Sequence, residues 1–329
     1  MKLLKDIPTK YFVSVDIETV RYTEHYEDLS EEWQSAWVYK NKQNGEIPDF
    51  DTLSDLWVRT AALYGEFAKI CAVSFVFLDK TGTKLLCKEL KGTDEVKLLE
   101  EVGAFLDKIN KGGKEYRLAA HAGKYFDYSF LGKRFVINGL DLPTLIDTSH
   151  LKPWEIKNID TNMDVWKFGG TGPGSSLQAL CTALQLPVSK VDLVGDEVGT
   201  AYFRGEINRI GRYCSYDAIA TFNIIRRIKK EPIFQFDEVT FLDEQDKEVI
   251  EEASLLERIY AARELTEELQ KELYELIEDK ELTEEDKVNL GDILKAILIR
   301  TDFVNQDQDS KAVKEFKEEQ VNDFIENIQ

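Results

Sequence analysis

Tyr11-Phe12-Val13-Ser14-Val15-Asp16-Ile17-Glu18-Thr19-Val20 is a run of β-branched and aromatic residues broken by two carboxylates one residue apart. That composition suits a buried strand. Side chains alternate across a strand, so Asp16 and Glu18 share one face. Like charges so placed repel unless a cation lies between them, and a hard divalent ion is the fitting candidate. Two acids at a strand end facing water give the same local pattern. The choice between these readings depends on acids far downstream.

Working outward, residues 21–65 hold Trp33, Trp37 and Trp57 in a mixed polar and aromatic stretch that reads as short helices and loops. It suits a packing cover or a substrate wall. Residues 69–79 read as a buried strand, Lys80 to Thr83 as a turn and Lys84 to Leu90 as the returning hairpin partner. Apolar residues at 96, 98, 99, 102, 105, 106 and 109 predict a helix over 95–109. A short strand over 117–121 then hands the chain through Gly123 to an aromatic-rich helix with Asp127 in its first turn. Leu145 to Thr148 reads as a further strand. The glycines from 169 to 174 lack the Gly-Lys-Ser/Thr ending of a phosphate loop and carry Pro173, so the segment reads as a loop, with Ser175 or Ser176 capping a helix through Leu186. A long helix over 207–227 puts Tyr213 and Asp217 one turn apart on one face, and its basic end, Arg226 to Lys230, suits a helix C-terminus.

The 329 residues, 43% hydrophobic and 11% aromatic, suffice for one large domain and a smaller one. Four cysteines without C-x-x-C spacing and three scattered histidines suggest neither a disulfide framework nor a zinc site. No signal-peptide core follows Met1 and no apolar run nears the ~18 residues of a membrane span, so a cytoplasmic protein without membrane contact is expected. The net charge of −20 is not spread evenly. Residues 231–329 hold 30 acidic against 11 basic residues, leaving 32 against 31 in residues 1–230. The first part is therefore electrically compatible with a phosphate backbone, and the second repels one.

Acids on a strand, at a helix start and on a second helix are a set that can converge on two cations, as phosphoryl transfer requires. Asp16-x-Glu18, the Gly-x-x-Phe-Asp127 segment and Tyr213-x-x-x-Asp217, in this order, resemble the three motifs of the DEDD 3′ to 5′ exonucleases, in the subclass with tyrosine in the third motif. The segments Ala62 to Ile70, Lys152 to Glu155, Trp166 to Gly170 and Tyr213 to Asp217 are similar to stand-alone bacterial and phage exonucleases related to the proofreading domain of family B DNA polymerases. The resemblance covers residues 10–230. It implies an α/β, RNase H-like mixed sheet flanked by helices. It further implies that Asp16, Glu18 and Asp217 hold one Mg2+ or Mn2+, that Asp16 bridges to a second whose shell includes Asp127, and that Tyr213 orients the attacking water. The backbone at Ile17 and Thr19 would face the terminal nucleotide. The second motif usually reads His-Asn-Gly; here it is His121-Ala122-Gly123, and Lys124 is the candidate to replace the missing amide contact.

The expected activity is therefore metal-dependent removal of nucleoside 5′-monophosphates from the 3′ end of single-stranded DNA, in replication, proofreading or repair. An exoribonuclease of the RNase D type is the same-fold alternative, and an inactive nuclease fold serving as an assembly module is the alternative from another class. The expected division is a nuclease domain over 1–230 and an acidic all-α appendage over 231–329, whose acidic helices read either as a solvated face that keeps the protein soluble or as a region that repels nucleic acid and docks a protein partner such as a replication protein, or shields the active-site groove.

Overall fold

The computed structural model describes residues 4, 6–42, 45–110, 116–152, 154–168, 170, 174–188 and 193–242. Among them, six strands form one mixed sheet in the order β5-β4-β1-β2-β3-β6. The strands are β1 (Phe12–Arg21), β2 (Ala68–Leu78), β3 (Leu85–Lys91), β4 (Arg117–Ala120), β5 (Ile159–Asp160) and β6 (Val239–Phe241). The centre is β1, antiparallel to β2 and parallel to β4; β4 is parallel to β5, β2 antiparallel to β3, and β3 parallel to β6. This is an RNase H-like α/β fold.

The helices in chain order are α1 (Glu31–Asn41), α2 (Phe50–Thr60), α3 (Glu95–Asn110), α4 (Asp127–Ile137), α5 (Leu177–Ala183), α6 (Val198–Phe203) and α7 (Ile207–Lys229). They cover both faces, as the strict alternation of β1 requires. Val13, Val15 and Ile17 enter a core with Leu98, Leu99, Val102 and Leu106 of α3 and Phe130, Leu131 and Phe135 of α4. Phe12, one position out of phase, packs instead with Ala218, Ile219, Phe222 and Ile225 of α7. The tryptophan-rich segment builds its own cluster, with Trp37 and Trp57 fully buried edge to face at 5.2 Å and Phe67 against both.

A buried ion pair locks α4 to its neighbours. Arg134 donates from Nε to Glu95 Oε1 at 2.8 Å and from Nη2 to Glu95 Oε2, while its Nη1 reaches Tyr22 Oη at 2.6 Å and the Gly65 carbonyl at 2.8 Å. Glu95 also accepts from the Ile70 amide at 2.7 Å and from Asn138 at 3.1 Å. Every partner in this network is satisfied, which is the condition for burying two charges.

Three expectations need correction. Leu145 to Thr148 is no strand: the Pro143 carbonyl accepts from the amides of both Ile146 and Asp147, which closes a turn and drops Ile146 into the core. The strand beside β4 is instead the two-residue β5. Second, α5 stops at Ala183, because Gln185 takes a left-handed φ of 55° and the Leu186 amide bonds back to Cys181, a Schellman cap. Third, the sheet does not end at residue 230, since β6 pairs with β3 and the Leu242 amide bonds to Cys87. The helical appendage expected over 231–329 lies, from residue 243 onward, outside the described residues.

Candidate active site

Ser14, Asp16 and Glu18 share the face of β1 that meets α7. Small polar residues let the helix sit close. Ser14 donates from Oγ to the Ala218 carbonyl at 2.7 Å, Ser74 and Ser215 share a hydrogen bond of 2.9 Å, and Cys214 Sγ lies 3.2 Å from the Asp16 carbonyl. The contact brings Asp217 over the strand. Ligand oxygens of Asp16, Glu18 and Asp217 all lie within 4.8 Å of one another. At this point β2 carries an irregularity: Glu18 pairs with Ala72 and Thr19 with Ile70, so Cys71 is the extra residue and its thiol turns to the Glu18 carbonyl at 3.5 Å. Bulges beside functional sites re-aim neighbouring side chains.

Asp127 arrives from the other side. The strand β4 pairs with β1 only at Phe12, Val13 and Ser14, so the rest of that edge is left without a strand partner. Asp127, the first residue of α4 and 4% exposed, comes close enough to this edge for its charge to bear on both Asp16 and Glu18.

The electrostatics mark a cation site. Burial, then Asp217, Glu18 and Asp127, drive the Asp16 carboxyl well above its usual range. Burial followed by Asp217 and Asp127 does the same to Glu18. Asp127 is raised to about 7 by burial, against its amide donors, and Asp217 to about 6 by burial, against a hydrogen bond from Tyr213. Asp16 Oδ2 is buried without any hydrogen-bond partner. A buried orphan oxygen in a cluster of oxygen-only donors fits a hard divalent ion and little else. Tyr213 sits beside these acids with its phenol raised by burial and by the charge of Asp217, so it remains a protonated donor.

The structure thus brings Asp16, Glu18, Asp127, Tyr213 and Asp217 together. Ile17 has its side chain in the core, and Thr19 donates to the Ala62 carbonyl at 2.7 Å, tying β1 to the 62–70 segment. The ammonium of Lys124 is held by Asp164 at 2.9 to 3.0 Å, so its first engagement is within the protein.

Sequence reasoning missed Asp160. Wholly buried at the end of β5, it accepts from the amides of Asn162 and Met163 at 2.9 Å and of Ala122 and Lys124 at 3.1 Å. An acid at a strand end just before Thr161-Asn162 is the signature of a helix N-cap, and that signal was available. His121 clamps the same region, its Nε2 to the Ser175 carbonyl at 2.8 Å and its Nδ1 to Thr161 at 3.0 Å, with burial lowering its pKa. The partner of Nε2 is a carbonyl, so that nitrogen carries the proton.

No helix among the described residues is long and apolar enough to cross a membrane. A comparison with curated proteins gives no match. A family described as predicted 3′-5′ exonucleases related to the exonuclease domain of PolB matches residues 62–267, which include Asp127, Tyr213 and Asp217. Asp16 and Glu18 precede the matched region, and it is the sheet that joins them to Asp217. With more than half of its length matched and a DEDD-like set of acids on an RNase H-like sheet, the chain belongs to this family of predicted 3′-5′ exonucleases.

Proposed function

We propose that the protein is a divalent-metal-dependent 3′ to 5′ exonuclease of the tyrosine DEDD subclass, releasing nucleoside 5′-monophosphates from single-stranded DNA. The observation that carries this reading is the cluster of Asp16, Glu18 and Asp217 within 4.8 Å, with Asp16 Oδ2 buried and unpartnered. These three residues would hold one cation, and Asp127 with Asp16 a second. When bound, such ions stabilise the attacking and leaving oxygens of an in-line displacement and acidify a water.

The chain's own groups do the rest. Tyr213 keeps its proton and is placed to donate a hydrogen bond that orients the attacking water, with Asp217 one turn further along α7. The kinship with a polymerase-associated exonuclease domain favours DNA as substrate.

The test is digestion of 5′-labelled single-stranded and duplex DNA and matched RNA with Mg2+ or Mn2+. A ladder shortening from the 3′ end of single-stranded DNA is expected, abolished by chelator. Equal or faster digestion of the 2′-hydroxyl strand would transfer the reading to an exoribonuclease, and no cleavage of any strand would favour an assembly module.

A further inference from the structure

We infer that Asp160 is a positioning residue for the second cation site: it holds the loop that delivers Asp127 to the edge of β1. The inference rests on the exonuclease reading above. Residues 121–126 link β4 to α4 with no strand or helix of their own. One side chain fixes this loop from outside at two amides, since the Oδ1 of Asp160 takes Ala122 and its Oδ2 takes Lys124. From there the hold passes along the chain. The Ala122 carbonyl accepts from the amides of Tyr125 at 3.0 Å and Phe126 at 3.2 Å, and the next residue is Asp127.

Two further observations show that the loop is held against its own preferences. Ala122 has φ of 65°, a left-handed conformation that a residue with a Cβ adopts only when its surroundings impose it. A Cβ on Gly123 would lie 2.3 Å from that of Ala120 and 3.1 Å from the Tyr128 ring, so the loop has closed to a distance only glycine allows. The outer ring of the same device is Asp164, whose Oδ2 accepts the Asp160 amide at 2.9 Å and whose carboxylate pairs with the Lys124 ammonium. An acid that touches no ligand but fixes one that does is the usual form of support around a metal, and its loss typically weakens metal binding or activity ~10- to 100-fold.

The experiment counts Mn2+ ions bound to the full-length protein by the electron paramagnetic resonance of free Mn2+, a readout independent of cleavage, alongside kcat and KM on single-stranded DNA. Asp160→Asn keeps the shape but presents an N–H to one of the amides it must accept from. It is made in an Ala122→Gly background, which relieves the left-handed strain and returns stability, and is compared with Ala122→Gly alone. Asp164→Asn, at a partly exposed position, is the second variant. Both are expected to melt cooperatively, to bind the first Mn2+ as their reference proteins do and the second ~10- to 100-fold more weakly, with kcat falling by a similar factor and KM kept. Should the wild type bind two ions and both folded variants bind two with undiminished affinity, the role of Asp160 is overturned while the exonuclease reading stands. Should the wild type itself bind fewer than two, the proposal falls together with the reading beneath it.

Discussion

Replacing Asp127 by asparagine should make the metal-free protein more stable at pH 8, and the gain should vanish on acidification. Asparagine keeps the size of the side chain and removes the charge. In the fold this carboxyl titrates at about 7 because burial opposes ionisation, against 3.8 ordinarily. An acid with a raised folded pKa binds its proton more tightly in the native state than in the unfolded one, so native stability falls as pH rises between the two values. Well below pH 3.8 the group is protonated in both states and the penalty is absent; well above pH 7 the penalty is complete. About three pH units at ~1.4 kcal/mol each give a penalty of about 4 kcal/mol. Urea unfolding of wild type and Asp127→Asn in chelator, at pH 4 and pH 8, measures it directly. The variant should gain about 4 kcal/mol over wild type at pH 8 and under about 1 kcal/mol at pH 4, and millimolar Mn2+ should reverse the order by stabilising the wild type more. Equal midpoints at pH 8 would falsify the account of a desolvated, mutually repelling acid cluster.

Four other outcomes are expected. Asp16→Ala or Asp217→Ala should abolish cleavage of labelled single-stranded DNA with the circular-dichroism spectrum unchanged; near wild-type turnover in either would remove the site assignment. Tyr213→Phe should keep KM and lower kcat by about 10² to 10³, the usual worth of one positioned hydrogen bond in a transition state, and an unchanged kcat would make the tyrosine structural. Arg134→Met strands the Glu95 carboxylate in the interior and should lose about 3 to 5 kcal/mol in urea titrations, whereas a loss under 1 kcal/mol would mean the pair is solvated in solution. A chain ending at residue 242 keeps β6 and should retain metal-dependent cleavage. If the acidic remainder shields the groove, the shortened chain should bind single strands more tightly at low salt, the difference shrinking once the Debye length falls below ~10 Å; a folded but inactive product would show that residues beyond 242 serve the site.

What could be read from the sequence was whatever is encoded by local pattern. The β-branched and aromatic run of β1, the helical spacing over Glu95 to Ile109 and the one-turn separation of Tyr213 and Asp217 all depend on near neighbours, and each appears where expected. The five catalytic candidates were legible because their spacing resembles a known order of motifs. The supporting groups were not, because their meaning is made by partners distant in the chain. Arg134 reads as an ordinary surface base until Glu95, 39 residues earlier, is found against it. Asp160 reads as one acid among many until the amides of Ala122 and Lys124 converge on it. The two-residue β5 carries no periodicity at all, and Leu145 to Thr148, which has the composition of a strand, is turned by Pro143.

The hydrogen bond from Ser14 to Ala218 spans 204 residues, and the acid cluster it helps to assemble joins β1 to α7. During synthesis the chain emerges from its N-terminus at roughly 5 to 20 residues per second, and a domain folds once its parts are outside. For ten seconds or more, then, Asp16 and Glu18 wait in the growing chain without Asp217. A nascent or prematurely terminated product that stops short of α7 holds half a cation site and no tyrosine. On the exonuclease reading, the chain thereby lacks a complete cation site until almost the whole sheet domain has been made.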